Sequence, residues 1–158
     1  RLEEDGWEAL WDDLVTVPYG LYRELEDRLE AGGNLSGLRF RVAQALASAP
    51  EGRLRLQELA ESIHLSPSGT TRLVDKLEAE GLLRRHACPL DRRATWASLT
   101  EEGRRAFNDA RPLWEAFLAE RLLVALSPEE GTQLHALLAK LSARPRCPKS
   151  KGTGILAP

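Results

Sequence analysis

The sequence predicts a mainly α-helical chain with one small β-hairpin, and three observations support this. Apolar residues recur at three- and four-residue intervals through most of the 158 residues, as in amphipathic helices. Two short helical segments, 56–63 and 66–80, are separated only by His64 and Leu65. Segments 82–88 and 94–99 have strand character and flank a charged turn. In this order they form a winged helix-turn-helix lobe, with further helices on both sides.

The flanking segments are predicted to be helical from the spacing of their apolar residues and from residues typical of helix ends. Trp7, Trp11 and the following apolar residues up to residue 29 share a helical face, and Pro18 is expected to kink this run or divide it into two helices. Glycines at 32 and 33 end it, and the next helix is expected over 37–49. Residues 101–126 predict a long helix that Pro112 is expected to bend. Ser127, followed by Pro128 and Glu130, predicts the start of a last helix that runs to about residue 141.

The second short helix has a face suited to a groove of duplex DNA. Ser66 is a natural N-cap, and Gly81 stands where a helix C-cap favours a left-handed residue. Its apolar face should pack into the core, whereas its other faces carry polar side chains, of which all but the carboxylate are hydrogen-bond donors: Ser68, Thr71, Arg72, Asp75, Lys76. Because the N-terminal turn of such a helix approaches the bases, this pattern fits the major groove. It also fits an ordinary amphipathic helix with a solvated polar face.

The tip of the hairpin carries Asp91, Arg92 and Arg93. Arginine is the side chain that a narrow minor groove attracts, and Asp91 is positioned to hold the Arg93 guanidinium by a charge-assisted pair. A plain surface salt bridge is the alternative interpretation. After the hairpin, Thr100 is expected to cap a helix whose first turn contains Glu101 and Glu102.

Together these segments resemble the MarR family of bacterial transcription regulators. The resemblance covers roughly residues 20–142 and is most specific in 59–66 (LAESIHLS), 71–78 (TRLVDKLE), 81–82, and 91–93 (DRR) followed by 99–103 (LTEEG). It implies that the second helix reads operator bases and that the wing enters the minor groove. The implied DNA-binding residues are Ser66, Ser68, Thr71, Arg72, Lys76, Asp91, Arg92 and Arg93. The chain departs from the usual pattern at Pro67 and Gly69, which puts base readout there in doubt.

The resemblance also implies a homodimer held by the terminal helices, an inverted-repeat operator, and a small aromatic ligand. Trp7, Trp11, Tyr22 and Trp114 are the candidate ligand-binding residues, although aromatic residues at helical spacing are more often plain core. The family's oxidisable cysteine near the start of the dimer helices has no counterpart, since residues 1–30 contain no cysteine. Of the two cysteines, Cys88 is expected in a hairpin strand and Cys147 near the end of the chain.

The net charge of −2 conceals an uneven distribution. Residues 1–36 carry ten acidic side chains against three arginines, a net charge of −7. Residues 66–93 carry six basic side chains against four acidic ones, a net charge of +2. The positive charge is therefore local to the proposed DNA-binding segment, and binding depends on the local patch rather than on the sum.

Several function classes are disfavoured. No nucleophile elbow, phosphate loop or His-Glu-x-x-His motif occurs, so we expect no enzyme, no catalytic residue, no cofactor and no metal. Two cysteines far apart, no run long enough to cross a membrane and no visible secretory signal favour the cytoplasm. The alternative to a DNA-binding regulator is a winged-helix module for protein–protein contact, which would more naturally expose apolar residues on its wing.

The sequence thus predicts four regions: an N-terminal helical dimerisation region at 1–35, a winged helix-turn-helix DNA-binding lobe at 36–99, C-terminal dimerisation helices at 100–142, and a basic tail at 143–158. The predicted function is a homodimeric transcription regulator, a repressor relieved by a small-molecule ligand.

Overall fold

The computed structural model describes residues 4–32, 35–87 and 95–142. Its elements in chain order are α1 (Glu4–Gly32), α2 (Gly37–Ser48), a 3₁₀ turn (Pro50–Gly52), β1 (Arg53–Arg55), α3 (Leu56–Ile63), α4 (Pro67–Ala79), β2 (Leu83–Ala87), β3 (Thr95–Leu99), α5 (Glu101–Leu118), a π-helical turn (Ala119–Leu123) and α6 (Pro128–Ser142). Mainly helical structure with a small sheet confirms the predicted fold class. Among the described helices, none is both long enough and apolar enough to cross a membrane.

Helix α1 is one continuous element of 29 residues with Pro18 inside it, so of the two predicted effects of Pro18, a kink or a division into two helices, the division does not occur. Proline removes one backbone hydrogen bond and crowds the preceding turn. Here the amphipathic pattern continues on both sides, and the C-terminal half of α1 is anchored by Leu29, which is fully buried. That anchoring offsets the cost of one missing hydrogen bond.

The hairpin belongs to a three-stranded antiparallel sheet in the order β1-β3-β2. Strands β2 and β3 pair from Leu83 opposite Leu99 to Ala87 opposite Thr95. Strand β1 pairs with the other edge of β3, with Leu54 opposite Ala97. Strand β1 was not predicted from the sequence; it adds an edge to the wing and leads directly into α3.

The core lies between the end of α1, helices α2 to α5 and the inner face of the sheet. Phe40 of α2 is at its centre, with ring centroids 5.2 Å from Phe107 and 6.0 Å from Trp114. The other large side chains that are fully buried are Leu29, Val42, Leu46, Leu59, Thr70, Val74 and Leu77. This packing fixes α3 and α4 relative to the sheet.

The described chain forms two compact units, with the boundary between Phe117 and Leu118. In the first unit, Pro112 lies inside α5 without ending it. The predicted single helix over 101–126 is wrong in detail, because α5 gives way to the π-helical turn at Ala119. In the second unit, α6 begins as predicted: Glu130 N–H donates to Ser127 Oγ at 3.2 Å, and Ser127 N–H donates to Glu130 Oε2 at 2.8 Å.

Candidate nucleic-acid interface

The turn between α3 and α4 sets the direction in which α4 leaves the core. His64 ends α3 in the left-handed region, with φ 57° and ψ 41°. Ser66 then caps α4, because its Oγ accepts from Gly69 N–H at 3.1 Å and its carbonyl accepts from Thr70 N–H at 2.9 Å. Pro67 occupies the first helical position, where no backbone donor is needed. The predicted helix start is therefore confirmed.

One face of α4 is held by the core. Thr70 and Val74 are fully buried and Leu77 is 2% exposed. The Thr70 hydroxyl donates to the Ser66 carbonyl at 3.0 Å, so this buried polar group is satisfied within the helix. Since these residues follow helical spacing, α4 can rotate little about its axis, and its opposite face is fixed toward solvent.

The solvent face of α4 carries the predicted DNA-binding residues. Ser66, Ser68, Thr71, Arg72 and Lys76 are all exposed. Thr71 Oγ1 donates to the Pro67 carbonyl at 2.9 Å, and Ser66 Oγ lies 3.3 Å from Ser68 Oγ. These local contacts keep the hydroxyls close to the helix and leave the longer side chains to project.

Arg72 and Lys76 are the cations on this face. Arg72 Nε makes one 3.4 Å hydrogen bond to the Ser68 carbonyl. In residues 4–32, 35–87 and 95–142, no carboxylate lies within ion-pair distance of either side chain. Their charges are therefore available to an anionic partner such as a phosphate or to the acceptor atoms of a base.

Arg85 of β2 ties the wing to α4, a role that the sequence analysis missed. Its Nη2 donates to Asp75 Oδ1 at 2.5 Å and to the Thr71 carbonyl at 3.2 Å. Its backbone N–H donates to Glu78 Oε1 at 2.9 Å. Its Nε is buried without a hydrogen bond, and the Glu78 carboxylate is 3.7 Å away. Arg85 therefore faces the protein, and its charge is already balanced by two carboxylates.

The predicted wing-tip residues Asp91, Arg92 and Arg93 lie outside the described residues, as does Cys88. Strands β2 and β3, which flank them, are described, and the last pair before the gap is Ala87 opposite Thr95. The roles of the three wing-tip residues stay predictions.

The four candidate ligand-binding aromatics are divided between two places. Trp7 and Trp11 line an open depression of about 420 Å³ on α1, together with Glu8 and Asp12, and they are 61% and 67% exposed. Tyr22 packs beside Gly37, and Trp114 packs against Phe40, so both contact α2. Burial, followed by the charge of Glu26, raises the pKa of the Tyr22 phenol, and the charge of Arg41 opposes this.

The chain is similar to known proteins both in sequence and in structure. A family model described as "MarR family" matches residues 34–94. The HTH-type transcriptional regulator MhqR of Bacillus subtilis (strain 168) is 38% identical over 131 residues, which cover 81% of this chain and 88% of that protein. The chain belongs to the MarR family of transcriptional regulators. The solved MarR family regulator AbsC of Streptomyces coelicolor is 26% identical, covers 90% of this chain and 95% of its own, and superposes with a TM-score of 0.81.

A second MarR family structure, Sco3205 of Streptomyces coelicolor in complex with DNA, has the same fold. It superposes with a TM-score of 0.83 at 24% identity and covers 92% of this chain and 96% of its own. The winged-helix architecture of this MarR family member is therefore the architecture predicted from its sequence.

Proposed function

We propose that this MarR family member is a sequence-specific DNA-binding regulator that reads its operator with α4. The observation that carries the proposal is the solvent face of α4, where exposed hydroxyls stand beside two cations that have no carboxylate partner among the described residues. A helix that is buried on one face and carries hydroxyls and two cations on the other is suited to a major groove, where base edges present acceptors. Relatives named as transcription regulators support the same function.

We further propose that the regulator acts as a homodimer. Trp7, Trp11, Val15 and Tyr19 of α1 are each more than half exposed, which is unusual for a monomer in water. In the second unit, a groove of about 580 Å³ is lined almost entirely by apolar residues, including Leu122, Leu126, Leu134 and Leu138. A second copy of the chain would cover both surfaces. The domain division that follows is dimerisation through 1–35 and 100–142, with the DNA-binding lobe at 36–99.

A two-fold dimer accounts for the proposed operator. Two copies of α4 would be separated by about one turn of DNA, roughly 34 Å, so the site is an inverted repeat. Binding there would occlude a promoter, so the protein would act as a repressor. It would do so in the cytoplasm and without enzymatic activity. A small aromatic ligand would relieve repression by changing the spacing of the two DNA-binding lobes, with Trp7, Trp11, Tyr22 and Trp114 as the residues to test.

The decisive experiment is selection of genomic fragments by the purified full chain, followed by anisotropy titration of the recovered duplex with random competitor DNA. We expect one enriched inverted repeat, bound at least about a thousandfold more tightly than random DNA, and a light-scattering mass of two chains. Arg72→Ala should weaken the preference by about fivefold to a hundredfold, as expected for the loss of one base contact, while the mass is unchanged. Recovery of no enriched sequence, or an Arg72→Ala variant whose preference for the site equals that of the wild type, would contradict the proposal.

A further inference from the structure

The outer face of the sheet, turned away from α4, carries basic side chains that are separate from the cations of α4. Residues opposite each other in antiparallel strands point to the same side. Arg55, Trp96 and His86 form one such row across the three strands, and Arg53 and Arg84 both lie opposite Ser98 in the next row. We call Arg53, Arg55, Arg84, His86 and Trp96 the outer basic face. The inner face, with Leu54, Ala97 and Leu83, packs on the core.

Trp96 orders two of these arginines. The Cζ atoms of Arg53 and Arg55 lie 5.1 Å and 5.3 Å from the centroid of its ring, within the range of cation–π attraction. An arginine stacked on an aromatic ring keeps its donors directed outward and is weakly hydrated. The two guanidiniums therefore lose less side-chain entropy on binding than free arginines would.

The outer basic face also carries positive charge that is not balanced by carboxylates. Arg53 pairs with Glu51. Glu58, the acidic residue in the first turn of α3, accepts from the Arg55 backbone N–H at 2.9 Å, which occupies one of its oxygens. Within the described ranges, neither Arg55 nor Arg84 has a carboxylate at ion-pair distance, whereas Arg39 and Arg111 each hold one at 2.7 Å. Two of the three guanidiniums on this face are therefore uncompensated.

We propose that the outer basic face binds phosphates of the DNA backbone beside the base pairs that α4 reads. This inference rests on the proposed function. Charge complementarity favours a polyanion, and a guanidinium matches the geometry of a phosphate with two parallel hydrogen bonds. Arg55 immediately precedes α3, and the first helix of a helix-turn-helix crosses the DNA backbone. Contacts of this kind hold the lobe on DNA without reading sequence.

The test compares Arg53→Ala/Arg55→Ala with the control Arg105→Ala/Arg111→Ala, which removes the same charge from exposed positions on α5. Each full-length protein is titrated with its selected duplex and with a random duplex of equal length, over about 50–200 mM salt. We expect the first variant to bind both duplexes about tenfold more weakly at low salt. Its salt slope should fall by about 0.9 for each phosphate that the variant no longer binds. The preference for the selected duplex and the melting temperature should be unchanged.

Two further measurements locate the contacted phosphates on the DNA and test whether the charge of the two arginines is what binds them. Ethylation of individual phosphates should interfere with the wild type at positions where it no longer affects Arg53→Ala/Arg55→Ala. Arg53→Lys/Arg55→Lys keeps both charges and should keep the slope. An unchanged slope and an unchanged interference pattern in the alanine variant would overturn the inference, as would an equal effect in the α5 control. A wild type without any preferred sequence would contradict the proposed function, while a drop in the random-duplex slope would still support the phosphate site.

Discussion

Arg85 on strand β2 and Asp75 on helix α4 form an ion pair with 2.5 Å between Nη2 and Oδ1. The same guanidinium reaches the Thr71 carbonyl, one helical turn earlier. The wing and α4 are thus joined by side chains as well as through the core. Since the two elements are proposed to enter neighbouring grooves, this link sets the distance between them. It also balances the charge of the Asp75 carboxylate, which stays exposed on α4.

Replacing Arg85 by alanine should remove this link and lower the affinity for DNA, with only a small loss in the stability of the lobe. The partners are partly exposed, so we expect the free energy of unfolding to fall by only about 1 kcal/mol. Affinity for the selected duplex should fall about tenfold, because α4 and the wing are no longer held at one spacing. Urea unfolding and anisotropy titration measure the two effects. The salt slope should stay at the wild-type value, since Arg85 does not face DNA.

Asp75→Asn serves as the partner variant for a double-mutant cycle. A coupling of about 1 kcal/mol between positions 75 and 85 is expected if the ion pair connects the two elements. Additive effects on both stability and affinity would show that the pair is incidental. A lower salt slope for Arg85→Ala would instead mean that Arg85 contacts phosphate.

Arg72 and Lys76 should separate base reading from backbone binding. Both are exposed on α4 without a carboxylate partner among the described residues. Arg72 lies nearer the N-terminus, which approaches the bases, so Arg72→Ala should cost about 1–3 kcal/mol on the selected duplex and little on random DNA. Lys76→Ala should weaken both duplexes equally and lower the salt slope by about 1. Competition titrations over a salt series measure both, and a reversed result would exchange the two roles.

Gly103 is expected to tolerate no side chain. It is buried in the first turn of α5, and a Cβ there would stand 2.0 Å from the Leu82 carbonyl oxygen. Gly103→Ala should therefore lower the free energy of unfolding by about 3 kcal/mol, because backbone must move to admit the methyl group. Gly20→Ala in α1 is the control, since nothing lies within 4 Å of its Cβ position. It should stabilise by up to about 1 kcal/mol. Equal urea midpoints for the two variants would refute the clash.

His64 should be replaceable by glycine with a gain in stability. Its φ of 57° is a conformation that residues with a Cβ adopt at a cost of about 1 kcal/mol, and its side chain is exposed. We expect His64→Gly to raise the free energy of unfolding by about that amount. Glu61→Gly, three residues earlier in α3, has ordinary helical geometry and should lower the free energy of unfolding by about 1 kcal/mol. Thermal unfolding of both variants decides, and a decrease in both would contradict strain at His64.

The helix-turn-helix itself was predictable because its signals are local. Ser66, Pro67 and Gly81 mark the ends of α4 by their own backbone preferences, and the structure confirms them. Strand β1 was not predictable in the same way. Its three residues alternate between polar and apolar but are too few to identify a strand, and their extended conformation depends on pairing with Ala97 and its neighbours, more than forty positions away.

The roles of Arg84 and Arg85 in the site could not be predicted from local sequence either. As adjacent basic residues they look alike in the sequence. Side chains alternate across a strand, so the pairing register alone decides that Arg84 faces solvent and Arg85 faces α4. Local sequence therefore predicts α4 and its polar face, whereas the ion pair between Arg85 and Asp75 and the outer basic face become visible only with the register.

Tyr22 should make stability depend on pH in the alkaline range. Burial holds its pKa above the ordinary 10.0 in the folded chain, and Glu26 adds to this. The folded state then keeps the phenol proton where the unfolded state releases it, so stability is full below about pH 10 and falls as pH rises toward the raised pKa. Urea unfolding between about pH 9 and 11 should show this fall in the wild type and less of it in Tyr22→Phe. Glu26→Gln should lower the pKa of Tyr22, seen as phenolate absorbance that appears at lower pH. An unchanged titration curve in Glu26→Gln would exclude the carboxylate as a cause.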